Sequence, residues 1–538
     1  MSVRALSEGA IESPSVCIIG AGMAGLIAAR RLAQAGISVL VLESGGPGDI
    51  TEPSALNAID DVHRNYAGGV TGRYRGLGGT SQRWGGRMLP VTASEARERS
   101  YLGLDGWPFD IQELDVYRGE IERLFTLDSS SYEEQVLDEF ALRGPLPRGD
   151  TDFAIRCPKW VAFSRCNVGQ SWRAELERQP NLDVRLDATV VDFSFDPASE
   201  RLISVTARDA AGHSVRVQAA EFLLAAGTIE TTRLLLFMRM RSQGRAFADC
   251  RALGRYFQEH IGATVATLVP RTSAANDAFG YRFIRSTRRS IHLELKPTAQ
   301  RDARVAGAFV HVIMSASANS STDILRRALR GLQRGKMAVG PRDLTRLAAD
   351  SANLMRGVYW RYVRSRHFWP ADLRHTVNVW IEQLPNYANH IALSERCDAY
   401  GVPLARIEWQ PTEADERTFQ ACIAHLQTYW KRHDLSRIGM LQWSSGVPEG
   451  TVPVNSIASA LLHPSGSTRM GVDPRDSVVD RHLRCHAVRN LSIASASAFP
   501  TAGSANPTLT ILEVAMRAAD AIVGRLCRKP EVNLSKVV

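Results

Sequence analysis

The sequence predicts an α/β protein of two domains, one a doubly wound, Rossmann-like parallel sheet and the other an α+β unit. Three observations predict it. The apolar run Val16-Cys-Ile-Ile19 passes straight into Gly20-Ala-Gly22-Met-Ala-Gly25, and a second apolar run, Val39 to Leu42, ends at Glu43. A further strand–turn–helix pattern recurs at Phe222-Leu-Leu-Ala-Ala-Gly227 and Thr228 to Met238. The chain has 538 residues, more than one ordinary core accommodates, and its character changes between about 255 and 450.

Hydrophobic content of 44% and charged content of 22% are those of a globular chain. The net charge of +9 is a mild basic bias at this length, compatible with an anionic substrate, a membrane surface or an acidic partner. No basic run interleaved with aromatics suggests nucleic acid. The 8 cysteines are scattered without C-x-x-C or Cys/His ligand spacing, so neither a metal site nor a disulfide framework is expected. Buried free thiols in a reducing compartment are the plain reading. The first fifteen residues lack a signal core, and no apolar run is long enough to span a membrane, so a cytoplasmic location is expected by default.

Val16 to Ile19 reads as a buried parallel strand. Gly20 permits a tight turn, Gly22 lets a pyrophosphate approach the backbone, and Gly25 lets the following helix pack close; Met23 and Ala24 complete the turn. The Ala/Leu-rich helix runs from Leu26 to Ala35 and ends at Gly36. A strand from Ser38 to Leu42 delivers Glu43, whose carboxylate suits the hydroxyls of an adenosine ribose, with Ser44 beside it. A pyrophosphate at the helix N-terminus meets free N–H groups and the positive end of the helix dipole. This stretch alone does not choose between NAD and FAD. Next comes the glycine-dense loop Gly78-Gly79-Thr80-Ser81-Gln-Arg83-Trp84-Gly85-Gly86, able to lie flat against a ligand and offer backbone donors.

Asp110 is a plausible N-cap for a helix through Phe125, and residues 151–175 look irregular. Val184 to Phe193 and Leu202 to Ala207 read as strands. Strand-like pieces at Ala263 to Val269, Ala306 to Met314, Thr376 to Glu382 and His390 to Ser394 surround a basic helical insert at about 323–366, which opens with Arg326, Arg327, Arg330, Arg334 and Lys336. A solvated helix face is favoured there over a membrane or partner surface. Asp398 to Pro403 reads as a turn and Asn490 to Ile493 as a strand. Asn506-Pro507-Thr508 opens a helix to about Leu526, with Asn as N-cap and Pro first in the helix.

Two blocks near the C-terminus carry the chemistry: His463-Pro-Ser-Gly-Ser-Thr-Arg-Met-Gly471 and Phe499-Pro-Thr-Ala-Gly-Ser-Ala-Asn506-Pro507-Thr508. With them the chain resembles the glucose–methanol–choline (GMC) family of FAD-dependent oxidoreductases over almost its whole length. The resemblance takes in the first glycines, the Gly78 to Gly86 loop and Ala225-Ala-Gly-Thr-Ile-Glu-Thr-Thr-Arg233. It continues through Gly254-Arg-Tyr-Phe-Gln-Glu-His260 and Glu382-Gln-Leu-Pro-Asn386 to the two C-terminal blocks. The pattern is nearest the branch holding pyranose, fructose and glucoside oxidoreductases.

The resemblance implies FAD, with His463 as catalytic histidine and Asn506 as its partner near flavin N5. An imidazole titrates near neutrality and can take a hydroxyl proton while hydride leaves carbon for the flavin. Cofactor contacts are implied for Gly20, Gly22, Met23, Ala24, Gly25, Glu43, Ser44, Gly79, Thr80, Ser81, Trp84, Gly85, Val190, Ala226, Gly227, Ser495, Ala496, Asn506, Pro507 and Thr508. The positive end of the helix at Pro507 would face the flavin pyrimidine. His260, His482 and His486 are read as structural or supporting. Some relatives bond flavin covalently through a loop histidine; Arg83 stands there, so non-covalent FAD is expected. Ser495 stands where many relatives carry an aspartate. Leu462 precedes His463 where sugar-active relatives often carry a polar group, which argues against a simple hexose.

The expected organisation is an FAD-binding domain in 1–254, a substrate domain in 255–450, and a return to the FAD-binding domain in 451–538. The expected reaction takes a primary or secondary alcohol of a sugar, glycoside or polyhydroxylated natural product to a carbonyl. The electron acceptor (oxygen, quinone or redox protein) is left open. A flavin monooxygenase would share the N-terminal stretch, but gives the His463/Asn506 pair no purpose. An NAD-dependent dehydrogenase and a non-catalytic binding protein are the other readings.

Overall fold

The computed structural model describes the chain except residues 1, 5, 7–8, 49–51, 65, 199, 316–320, 322, 325–326, 329–330, 332–339, 370–372 and 528–538, and gives only the backbone of 2–4. Its first layer is a 6-stranded parallel sheet in the order Ser2–Arg4, Leu182–Arg185, Val39–Leu42, Val16–Ile19, Glu221–Leu224, Leu491–Ile493. The central strands are fully buried, as their unbroken apolar runs require. The helix Met23–Gln34 starts three residues earlier than the sequence suggests, and Gly36 leaves it at φ +82°. The C-terminal helix Thr508–Cys527 packs against it, tied by Arg31 to Asp520.

Val184 to Phe193, read as one strand, is two. Leu182–Arg185 joins the parallel sheet, Asp187 turns the chain at φ +53°, and Thr189–Phe195 enters a separate 4-stranded sheet with Leu202–Arg208, Ser214–Gln218 and Ala10–Glu12. Asp110 does cap, accepting from Gln112 N–H. Its first turn, Ile111–Leu114, is a 3-10 turn, and the α-helix is Asp115–Leu124.

Over the C-terminal edge of the parallel sheet lies a large antiparallel sheet: Gly439–Trp443, His260–Pro270, Arg374–Glu382, Ala308–Ser315, His292–Leu295 and Phe153–Arg156, with Ser459–Ala460 also paired to His260–Pro270. Phe153–Arg156 and Lys159–Trp160 are strands inside the segment expected to be irregular. Register sorts the faces. Gly262 pairs Trp380, Trp380 pairs Phe309, and Phe309 pairs Glu294, so His260, Trp380, Glu382, Phe309, His311 and His292 share one face by period-2 alternation. Ile261, Val379, Ile381, Val310 and Leu293 fill the opposite face. There the 20-residue helix Glu413–Arg432 presents Phe419, Ile423, Leu426, Tyr429 and Trp430. Gly262 is required, because a Cβ would sit 2.6 Å from the Trp380 ring.

The described part of the insert forms Pro341–Ala349 and Ser351–Tyr362, which expose Leu344, Met355, Val358 and Tyr362 alongside their charges. Arg326, Arg330, Arg334 and Lys336 lie outside the described residues. All eight cysteines are free; Cys397 and Cys527 are exposed rather than buried as expected. Among the described residues, no helix is long and apolar enough to cross a membrane.

Candidate active site

The residues expected to hold a dinucleotide gather where the parallel strands end. Gly20 to Gly25 follow Val16–Ile19, Glu43 and Ser44 follow Val39–Leu42, Ala226 and Gly227 follow Glu221–Leu224, and Ser495 and Ala496 follow Leu491–Ile493. Val190 follows the neighbouring strand through a loop whose Ala188 N–H donates to the Glu43 carbonyl at 2.8 Å. This edge is where an open α/β sheet binds ligand.

The glycines divide by role. A Cβ at Gly20 would meet the Ala225 carbonyl at 2.6 Å, and one at Gly25 the Gly20 carbonyl at 1.9 Å, so both are fixed by packing. At Gly22 and Gly227 a Cβ would meet nothing within 4 Å, so open space lies over both helix starts. That space, ringed by helix-terminal N–H groups, fits a dinucleotide pyrophosphate. The Gly78 loop closes in from the side: Gly78 N–H donates to the Ala21 carbonyl at 2.9 Å, and the Gly79 Cβ position lies 3.0 Å from Gly22 Cα. Ser81 is buried, accepting from Val168 N–H and donating to the Gly78 carbonyl; Thr80 and Gly85 are exposed; Trp84 Nε1 donates to the Cys166 carbonyl at 2.9 Å.

Glu43, expected to face a ribose, is engaged by backbone donors. Its carboxylate accepts from Ala21, Gly45 and Gly76 N–H at 2.8, 2.9 and 2.9 Å, tying three loops together. Burial pushes its carboxyl up, and these donors counter that. Ser495 Oγ accepts from Ser497 N–H at 3.2 Å and starts the turn Ala496–Ala498.

His463 sits on a segment stitched between the two layers. Leu461 N–H donates to His260, Ser465 exchanges both backbone hydrogen bonds with Gln258, and Gly466 N–H donates to Ala496. Leu462 and Ser467 take positive φ, +62° and +73°, strain of the kind held at functional sites. His463 N–H donates to Glu259 Oε2 at 2.9 Å; its ring lies 5.2 Å from that of His260 and 6.4 Å from that of Trp380. Burial, His260 and Arg87 hold the His463 imidazole well below its ordinary pKa, so it is neutral at physiological pH.

Asn506 reaches the same cluster from the other layer. Its Nδ2 donates to the Arg87 carbonyl at 2.6 Å, while Oδ1 is buried without a partner. The side chain therefore does not cap the helix Thr508–Cys527; Pro507 supplies the first helical carbonyl, to Ile511. Behind both residues, His260 Nε2 bonds the Gly503 carbonyl at 2.6 Å, and Glu382 joins Arg99 by two bonds of 2.6 and 2.7 Å. His486 bonds Ser477 Oγ at 3.1 Å, while His482 offers its backbone N–H to Asp480; both lie apart from these contacts.

Unpartnered buried atoms concentrate here: His463 Nδ1, Asn506 Oδ1, His260 Nδ1, both ring nitrogens of His292, and His311 Nε2. Buried polar atoms are normally paired, so such a concentration marks a ligand site. Arg87, Glu259, Trp380, His292 and His311 were not picked out from sequence. The signal was a strand pair carrying aromatic and imidazole side chains at alternate positions on one face.

A nucleotide-binding α/β layer under a polar, imidazole-rich roof defines a dinucleotide-dependent oxidoreductase. A family model described as GMC oxidoreductase matches residues 385–515, and one described as NAD(P)-binding Rossmann-like domain matches 18–48. Paromamine 6'-oxidase of Streptomyces fradiae is 26% identical, covering 95% of this chain and 91% of its own. Fructose dehydrogenase large subunit of Gluconobacter japonicus is 23% identical over 96% and 98%. Among solved structures, pyridoxine 4-oxidase from Mesorbium loti matches with a TM-score of 0.58 at 17% identity, covering 94% of this chain and 99% of its own. The chain thus carries a GMC oxidoreductase C-terminal domain together with a Rossmann-like nucleotide-binding segment, a combination that points to FAD as the dinucleotide.

Proposed function

We propose that the protein oxidises a carbinol of a sugar, glycoside or other polyhydroxylated molecule to a carbonyl, with His463 as base and Asn506 orienting the reacting oxygen. What supports this is that His463 and Asn506 each keep a buried, unpartnered polar atom and both adjoin the Arg87–Trp380 contact, Asn506 through the Arg87 carbonyl and His463 with its ring 6.4 Å from that of Trp380. Similarity to sugar and aminoglycoside oxidoreductases supports the substrate class.

The residues that would hold FAD are those at the strand ends: Gly22 and Gly227 under the open space, Glu43 beside the ribose, the Gly79–Gly85 loop over the ring system, and Pro507 and Thr508 at the helix start. FAD supplies the hydride acceptor. Arg83 on the loop gives no route to a histidyl flavin bond, so the cofactor is held non-covalently. The neutral imidazole of His463 accepts the hydroxyl proton as hydride leaves the carbinol carbon, and Asn506 Nδ2, one N–H of which donates to the Arg87 carbonyl, keeps a second N–H to donate to the same oxygen. Residues 1–254 and 451–538 serve as the FAD-binding domain and 255–450 as the substrate domain, the last borrowing Phe153–Arg156 for its sheet.

The test is anaerobic mixing of the purified flavoprotein with sugars, glycosides and simple alcohols, for the parent and His463→Ala. The variant should keep its yellow colour and lose about 10²–10⁴-fold in the rate of bleaching. An unchanged rate would remove His463 from the mechanism.

A further inference from the structure

Arg87 is the exception among the buried arginines of this region. Arg99 is paired with Glu382, Arg156 with Glu294, Arg289 with Asp128, and Arg233 with Glu230 and Asp398. Arg282, without a carboxylate, donates to the backbone carbonyls of Leu142, Gly280, Asp277 and Ala278. The Arg87 guanidinium is 7% exposed as a residue, yet it meets no carboxylate or carbonyl among the described residues. It is held instead between aromatic faces, 4.4 Å from the centroid of Trp380, 5.5 Å from Phe309 and 5.9 Å from Trp160. Cation–π contact steers such a group without neutralising it, and a buried cation normally has a counter-ion.

The same aromatic shelf carries two further donors in waiting. His311 lies 4.5 Å from the Trp380 ring and 5.3 Å from that of His292, which stacks on Phe309 at 4.3 Å. Neither ring nitrogen of His292 nor Nε2 of His311 has a partner. Burial and the Arg87 charge hold both imidazoles neutral, so each offers one N–H rather than a second and third cation. One guanidinium and two N–H donors are complementary to one carboxylate. Trp380 links this group to His463, whose ring is 6.4 Å away, so carbinol and carboxylate fit within one small molecule.

We propose that Arg87, His292 and His311 bind a carboxylate carried by the substrate, so that the alcohol oxidised beside His463 belongs to a hydroxy acid. This rests on the alcohol-oxidising reading above and narrows its substrate class to polyhydroxylated acids.

The experiment compares matched probes on the oxidised holoenzyme under anaerobic conditions: gluconate against glucitol, glycerate against glycerol, and lactate against propane-1,2-diol. Equilibrium binding is read from perturbation of the flavin absorbance and from the shift in melting temperature, with bleaching recorded separately. Each acid should bind at least about tenfold more tightly than its neutral counterpart, the effect of a charge-assisted contact. Arg87→Gln should abolish that ratio. His292→Phe, which keeps the stack on Phe309 and guards against misfolding of the first variant, should reduce it. Equal binding of acids and neutral partners by the parent, or a ratio preserved in both variants, overturns the proposal. So does a changed flavin potential in Arg87→Gln with the acid preference intact, which would assign the guanidinium to the cofactor. Neutral alcohols that bleach the parent and spare His463→Ala, without any acid preference, would leave the alcohol chemistry standing and remove only the carboxylate.

Discussion

At the scale of the residue, the decisive quantity for the proposed chemistry is the protonation state of His463, its proposed base. A base must be unprotonated to act, and desolvation beside His260 and Arg87 keeps this imidazole neutral far into acid. Because the folded pKa is depressed, the acid limb of the rate moves below the ordinary histidine value. The rate of flavin reduction by a saturating neutral alcohol should therefore stay flat from neutrality to below pH 6. Rapid mixing across pH would show it; a limb at or above 6.5 would mean that the acting imidazole is better solvated than the buried ring of His463. The backbone supports the same end. With φ positive at Leu462 and Ser467, the loop enters and leaves His463 in conformations sustained by its hydrogen bonds to His260, Glu259, Gln258 and Ala496.

At the scale of the element, the first strand–turn–helix unit separates packing from binding. Gly25→Ala drives a methyl to 1.9 Å from the Gly20 carbonyl oxygen, a backbone atom that cannot swing aside as a side chain would. It should cost roughly 1–3 kcal/mol or more in denaturant unfolding. Gly22→Ala meets only open space. Its apoprotein should match the parent within about 0.5 kcal/mol, while the purified protein carries less FAD. Equal FAD content in Gly22→Ala and the parent would put the pyrophosphate elsewhere. This unit was legible because its period, glycines and terminal acid are local. The His463 and Asn506 blocks were legible as motifs, whereas their surroundings were not. Arg87 meets Trp380 and Phe309 only through the pairing of strands far apart in sequence. Val184 to Phe193 misread as one strand for the same reason: the switch of sheet at Asp187 is made by φ, and nothing in the apolar pattern marks it. The helix Glu413–Arg432 is a different case. Its capping box, Thr412 with Asp415, and its apolar spacing through Phe419, Ile423, Leu426 and Trp430 are local signals, legible in the sequence without any tertiary contact.

At the scale of the whole molecule, the buried charges set how stability responds to pH. Burial pushes the carboxyl of Glu259 up to about 8, that of Glu513 up to about 8 and that of Glu294 up to about 7, although each has donors around it. A group whose folded pKa lies above its unfolded value binds extra protons in the native state, so stability falls as pH rises between the two. The buried imidazoles of His260, His292, His311 and His463 are shifted down instead, so they lower stability only as pH drops below about 6.5. Glu230, held at about 2 by Arg75, Arg233 and Arg73, and Asp150, held at about 2 by His433, the N–H groups of Phe153 and Asp152 and then Arg432, add to that acid loss. Between about 6.5 and 8 the carboxyls dominate, and the melting temperature of the holoenzyme should decline over that interval; beyond it the buried thiols of Cys17, Cys157, Cys422 and Cys485, which burial also pushes up, prolong the decline. Glu513 lies on the C-terminal helix against Arg118, away from His463 and its partners. Glu513→Gln removes one titration without touching the site, so its decline over the same interval should be shallower than the parent's at unchanged FAD content. Parallel melting curves for the two proteins across that interval would mean that Arg118 keeps Glu513 ionised throughout.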